Sequence, residues 1–534
     1  MRLTPSGGLV LLIPIMQSQN SLDTCSIIPR QFRLPFLMLV SCFALWGLLN
    51  NMTDNLVPAF QKIFTMDQSR AGLVQVAFYG AYAVLAIFAS ILIEEFSYRV
   101  GVLIGLGIYI IGALCYIPAC IAQNFDIYFI AIFIVAGGCS LLETTCNPYV
   151  LSLGSVKTSV RRLNFAQAFN PVGSMVGIVL AQQLILSNLN PATAAERDAM
   201  KAADPGRLDA IINHELFWVC APYVGLCAIA AVIWFFFLRH KDEEKAPGEQ
   251  SETLPGGERR VTIAAAFSIV PLTALYYLFP DMDKVSWILC GMLGPIAYLL
   301  IMPNYRAMLT ALLRIPRYWS GIVTQFFYVG VQIAAWTWLN VYCQKEMGVS
   351  PATAASYYTI SIILFILCRW VATYLMKRFN PASMMSIFAV AAIACCAGVM
   401  YLPSTALFTV GTLAFSANVL CLIAMSGCMS LMFPTIYGIA LVGLGKEVKL
   451  GAAGLIMAIL GGAIITPWMG SCIDNGTLNA LVPGFSILVD TNLNTSSAAV
   501  RSAFLVPAIC FAVVLVYSIV FRNTHRCQQA DEES

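Results

Sequence analysis

The stretch FIAIFIVAGGCSLLETTCNPYVLSL (129–153) is apolar over a length that crosses ~30 Å of hydrocarbon as a helix, yet it carries Glu143 near its middle. A second stretch, FLMLVSCFALWGLLNNMTDNLVPAF (36–60), repeats the arrangement around Asp54. A charge at the centre of a bilayer costs from about 3 to more than 10 kcal/mol, so such residues face a polar cavity and mark an ion or substrate pathway. Both acids have amides within helical reach: Asn50 and Asn51 beside Asp54, and Asn147 one turn beyond Glu143. These two segments set the reading of the whole chain.

The 534 residues are 59% hydrophobic and only 11% charged. Soluble globular domains carry about a quarter charged residues, so that class is excluded. Backbone groups in lipid must be satisfied within the segment, and apolar runs this long are helices rather than barrel strands. An all-α polytopic membrane protein, partnered by the lipid bilayer, is expected. Windows of about 20 apolar residues place spans near 35–60, 70–93, 100–121, 127–152, 163–187 and 216–238. The polar segment KDEEKAPGEQSETLPGGERR (241–260) follows as a linker, and six more spans lie near 318–343, 354–376, 383–402, 416–442, 451–473 and 502–521. Six spans, a linker, then six is the layout of the major facilitator fold, in which two six-helix halves enclose a midplane cavity. A short repeat, ASILIEEF (89–96) against ATYLMKRF (372–379), closes the second helix of each half.

The expected organisation is a leader over 1–34, a first half over 35–238, a central region over 239–317, a second half over 318–521 and a tail over 522–534. Met16 is an alternative start. Residues 262–302 hold two further apolar runs, read either as an extra membrane hairpin, giving fourteen spans, or as an amphipathic pair at the surface; the hairpin is adopted. Residues 403–418 are too apolar for an ordinary loop and too short for a span. Lys and Arg collect in alternate loops, among them Arg99, Lys157, Arg161, Arg239, Arg314, Lys377 and Arg522. That side, with both termini, is expected to be cytoplasmic, and the membrane the plasma or bacterial inner membrane.

Eighteen cysteines form no CxxC pair and no ligand spacing, so neither a disulfide framework nor a metal site is expected. The three histidines lie outside the predicted spans, which leaves proton coupling to carboxylates. No phosphate loop or nucleophile–base pair is present, so no cofactor, no nucleic-acid partner and no enzymatic activity are expected. Gln167 neighbours Asn170, and Gln325, Gln332, Trp336 and Asn340 share one helical stripe flanked by Phe326, Phe327, Tyr328 and Trp338. Amides donate and accept hydrogen bonds as sugar hydroxyls require, and aromatic faces suit the apolar faces of a pyranose. No basic residue accompanies the first-half cluster, which favours a neutral solute. Buried amides also serve as interhelical glue, and that reading stands beside the functional one. Arg369, inside ILCRWVATYLMKR (366–378), is read as snorkelling to the interface, with carboxylate pairing as the alternative. Glu94 and Glu95 are read as loop-gating contacts. Prolines 148, 171, 434 and 467 are expected to kink their helices, and Gly461, Gly462 and Gly470 to permit close packing.

The motifs NNMTD (50–54), LETTCNPYV (142–150), RLNFAQAFN (162–170), QFFYVGVQIAAW (325–336), MFPTIYGI (432–439) and GGAIITPWMG (461–470) resemble the fucose–proton symporter family of the major facilitator superfamily, nearest its L-fucose permease branch. The resemblance covers most of 35–521 apart from 188–214 and 240–303. It implies that Glu143 is the protonation site coupled to sugar, that Asp54 is a second titrating acid, and that Asn51, Gln167 and Asn170 contact sugar. Phe433 departs from the branch, which has tyrosine there, and resembles the glucose/galactose permeases instead. The expected activity is import of L-fucose or a related neutral monosaccharide with H+, by rocking of the halves in a monomer. The alternatives are a glucose/galactose-type or amino-sugar permease, sodium coupling through Asp54, Asn50 and Thr53, a membrane-embedded enzyme, and a non-transporting sugar sensor.

Overall fold

The computed structural model describes residues 27–240, 256–279, 282–411, 413–479, 481 and 495–522. Most of the expected leader (1–26), the linker core (241–255) and nearly all of the tail (523–534) lie outside the described residues. Among the described residues, fourteen helical segments are long and apolar enough to cross a membrane. The first six are α1 (Arg30–Ile63), α2 (Leu73–Glu95), α3 (Tyr98–Ala122), α4 (Phe125–Ser152), α5 (Val156–Asn188) and α6 (Pro205–Arg239). The hairpin expected over 262–302 is α7 (Gly257–Leu278) and α8 (Lys284–Ile301). The last six are α9 (Pro316–Met347), α10 (Thr353–Leu375), α11 (Pro381–Tyr401), α12 (Ala417–Leu441), α13 (Gly445–Asn475) and α14 (Ala498–Val520).

The pairing of helices repeats. In the first half α1 packs on α5, α2 on α4, and α3 on both α4 and α6. In the second half α9 packs on α13, α10 on α12, and α11 on both α12 and α14. Each pair recurs eight helices later, so the two six-helix bundles are copies of one arrangement with α7 and α8 inserted between them. That hairpin packs against α2, so it belongs spatially to the first half.

Proline positions set where helices break, because proline has no N–H to give the carbonyl four residues back. α1 breaks at Asn55, beside the Asp54 carbonyl that Pro58 leaves unpaired. α5 breaks at Ala168, next to Gln167, the partner Pro171 lacks. α12 breaks over Ser430 and Leu431, the first of which is the residue Pro434 leaves unpaired. Pro118 does the same at Cys115 in α3. The expected kinks at Pro171 and Pro434 therefore fall one turn before each proline, whereas α4 runs unbroken through Pro148 and the α13 helix through Pro467.

Close helix approach uses glycine. A Cβ on Gly173 of α5 would lie 2.0 Å from the Ala44 carbonyl oxygen of α1, and one on Gly461 would lie 2.0 Å from the Phe326 carbonyl oxygen of α9. Gly173→Ala is expected to force α1 and α5 apart at a cost of ~1–3 kcal/mol. A lowered melting midpoint of the purified protein checks this; an unchanged midpoint would refute it.

Residues 403–418 contain an antiparallel hairpin, β1 (Ala406–Val410) and β2 (Leu413–Ser416). Phe408 and Phe415 stack at 5.1 Å, and the Tyr357 hydroxyl on α10 donates to the Ala414 carbonyl at 2.7 Å. The segment's apolar character thus belongs to a strand pair, with Leu407, Phe408 and Val410 exposed.

Candidate functional site

Two adjacent cavities lie between the halves. The inner one is lined from the first half by Asn50, Asn51, Glu143, Gln167 and Asn170, and from the second by Gln332, Trp336, Arg369 and Phe433. Trp46, Tyr79, Tyr82 and Phe365 supply its aromatic walls. The outer cavity shares Asn50, Asn51, Tyr79 and Trp336 and adds Asp54, Gln75, Gln182, Asn340 and Tyr358. The two acids therefore line different, adjacent cavities whose walls share the Asn50–Asn51 pair. Tyr82 neighbours Glu143, and among the described residues no Lys or Arg forms an ion pair with Asp54 or Glu143.

The break of α5 carries Gln167 and Asn170 into the inner cavity from either side of Ala168. The Gln167 Nε2 donates to Asn147 Oδ1 at 2.8 Å, and Asn170 Nδ2 donates to the Phe43 carbonyl at 3.4 Å. Trp336 spends its indole N–H on Ser426 Oγ at 3.1 Å. Its ring meets Phe365 edge-on at 5.1 Å.

Two expected binding residues lie elsewhere. Asn147 is fully buried behind Gln167, and Gln325 is fully buried without reaching either cavity lining. Among the described residues, Asn147 Nδ2, beside Tyr437, and both polar atoms of Gln325 lack hydrogen-bond partners. Each lies one to two turns along its helix from a cavity residue, toward the end of the bundle where the basic loops gather. The flanking aromatics also pack away from the cavities: Tyr328 donates to the Met429 carbonyl at 2.9 Å and Trp338 to the Thr466 carbonyl at 3.0 Å.

Arg369 does not snorkel. It is 3% exposed, its guanidinium sits 4.6 Å above the Phe365 ring, and it lines the inner cavity. Its Nη1 donates to the Gln167 carbonyl at 3.0 Å, and its Nε donates to the Ser430 carbonyl. These are the carbonyls that Pro171 and Pro434 leave unpaired in α5 and α12, so one side chain joins both broken helices across the two halves. A cation thus lines the cavity, which corrects the expectation that none accompanies the first-half cluster. Its presence was signalled in the sequence by the same cost argument that singled out the acids; its partners were not. Sequence reasoning also missed Tyr79, Tyr82, Tyr358 and Gln182. The last sits on a π-helical turn, Ala181–Ile185, a distortion frequent at functional sites.

The halves meet tightly at the basic end. Asn164 Nδ2 donates to Thr435 Oγ1 at 3.4 Å, Arg161 Nε donates to the Thr373 carbonyl at 3.3 Å, and Lys449 Nζ lies 3.8 Å from Glu94 Oε2. Toward the opposite end they are joined by the Tyr358 hydroxyl, which donates to Asn51 Oδ1 at 3.5 Å. Glu95, expected beside Glu94 as a gating contact, instead pairs with Arg260 of α7 within the first half.

A two-halved helical bundle with an acid- and amide-lined cavity at its centre and one end closed is the architecture of a secondary transporter. The Major Facilitator Superfamily profile matches residues 36–467, and the chain belongs to that superfamily. It is 33% identical over 496 residues to the L-fucose-proton symporter of Haemophilus influenzae, covering 92% of this chain and 97% of that one. It is 24% identical over 505 residues to a glucose/galactose transporter of Brucella abortus, covering 94% of this chain and 98% of that one. The crystal structure of the superfamily transporter FucP in the outward conformation is similar, with a TM-score of 0.69 and 28% identity over 92% of this chain and 99% of that one.

Proposed function

We propose that the protein is a proton-coupled symporter importing L-fucose or a related neutral monosaccharide by alternating access. The observation that carries the reading is Glu143, 7% exposed, facing a cavity rimmed by the amides Asn50, Asn51, Gln167, Asn170 and Gln332 and by Trp336. Those amides match hydroxyls in both hydrogen-bonding senses, and the Trp336 and Phe365 faces match the apolar side of a sugar ring. With Glu143 protonated and sugar bound, the site holds no bare carboxylate and crosses the dry occluded state; with the proton gone it does not. Asp54, lining the outer cavity, serves in this reading as the second titrating acid.

The chain works as a monomer in the plasma membrane, the bacterial inner membrane, with the basic end cytoplasmic and both termini there. Residues 35–238 and 318–521 are the rocking halves, and α7–α8 crosses the membrane beside the first. The contacts of Asn164, Arg161 and Lys449 across the halves support reading this as a form closed to the cytoplasm. Asn147 and Gln325 then belong to the exit route: their unpartnered buried atoms find partners when the cytoplasmic end opens, since orphaned buried polar groups are otherwise rare.

Adding L-fucose to deenergised, lightly buffered cells that express the protein is expected to raise external pH as labelled fucose enters. Uptake without alkalinisation would refute proton coupling. A glucose/galactose-type specificity is the second reading, favoured by Phe433 in the cavity wall. Carrier-mediated uptake of labelled galactose or glucose that excess unlabelled fucose fails to reduce would establish it.

A further inference from the structure

The α7–α8 hairpin does more than extend the chain across the membrane. It is fixed to the first half at both ends. Lys284 Nζ lies 3.9 Å from Asp126 Oδ1 at one end, and at the basic end Arg260 grips Glu95 through Nε to Oε1 and Nη2 to Oε2, each at 2.6 Å. Between them Ile288 fills the space a Cβ on Gly80 would need, and Trp287 packs against Phe129 and Phe133. The short helix Pro303–Leu313, which carries the chain from α8 to α9, brings Tyr305, whose hydroxyl donates to Glu95 Oε1 at 2.6 Å. Glu95 is 3% exposed, and its carboxylate is held on both oxygens.

Its neighbour Glu94 is the residue that reaches across to Lys449 of the second half, itself 6% exposed and 5.3 Å above the Tyr98 ring. Two adjacent acids thus close α2, one taken by the hairpin and one by the opposite half. We propose that the hairpin is the positioning element of the gate at this end. By occupying Glu95 with Arg260, and with Tyr305 of the short helix that follows, it fixes the last turn of α2 so that Glu94 holds Lys449, and thereby sets how readily the end opens. Tyr305 lies on the covalent connection between the halves, so rocking of the second half bears directly on this grip. The proposal rests on the alternating-access reading above, but its test does not need the sugar.

Amide hydrogen exchange of the full-length protein in lipid nanodiscs, without sugar or proton gradient, measures opening of the gate at the first turns of α13 and α5. Glu94→Gln is expected to speed exchange there about tenfold, and Arg260→Met with Tyr305→Phe to do the same. The triple variant is expected to match Glu94→Gln alone, because both changes act on one contact. Tyr305→Phe alone, the mildest change, is expected to give a smaller rise in the same amides. Parental exchange at α13 and α5 in the Arg260→Met, Tyr305→Phe variant would overturn the proposal, as would multiplied effects in the triple variant. A protein that transports no sugar but shows the expected exchange pattern would overturn the substrate reading and leave the gate intact.

Discussion

Glu143→Gln is expected to abolish uphill accumulation of sugar while sparing exchange of labelled for unlabelled sugar across the membrane. Glutamine reproduces the shape and hydrogen bonding of the protonated acid without a proton to release. Sugar can therefore be carried in both directions through the occluded state, but the proton gradient no longer drives net uptake. The expected result is a cell-to-medium sugar ratio that falls to the equilibrium value, with counterflow persisting in vesicles. Accumulation at the parental level would remove Glu143 from the coupling mechanism and shift attention to Asp54. Loss of both activities would make Glu143 a binding residue alone.

The second large effect is expected from Arg369→Met. Methionine fills much of the volume but cannot donate, so the Gln167 and Ser430 carbonyls lose their partner where Pro171 and Pro434 have already removed the helical one. An orphaned buried acceptor costs ~1–3 kcal/mol, so the pair amounts to about 2–6 kcal/mol. A clear drop in melting midpoint is expected, together with weaker sugar binding, because Gln167 is a proposed sugar contact. Arg369→Lys, whose single ammonium cannot span both carbonyls, is expected to fall between. A methionine variant with the parental midpoint would show that neither carbonyl depends on this residue.

The contrast between Gln332 and Gln325 shows where sequence reasoning stops. Both belong to one helical stripe of α9, and spacing alone assigns them one fate. Gln332 meets the cavity and Gln325 does not, because depth along the helix, not azimuth, separates open cavity from closed gate. The same holds for Glu143 and Asn147 on α4. Arg369 makes the point from the other side: its presence in a span was legible, but its partners lie 202 and 61 residues away in other helices. Residues 403–418 carry the composition of a span without its length because they form an apolar strand pair between two membrane-crossing helices.

The helical, membrane-crossing fold, the two six-helix halves and the presence of two costly acids within apolar runs were legible in the sequence, which left open whether 262–302 adds a hairpin. It also placed the prolines that break α5 and α12. These follow from quantities local to a segment: transfer cost, helical rise and a missing N–H. The packing of the helices settled which amides share a cavity, that the acids line two adjacent cavities, and that an arginine bridges the proline-freed carbonyls. It also gave the hairpin, not the second half, the carboxylate of Glu95. Those outcomes depend on the depth and rotation at which distant helices meet, and on which end of the bundle is closed, and no local spacing encodes either.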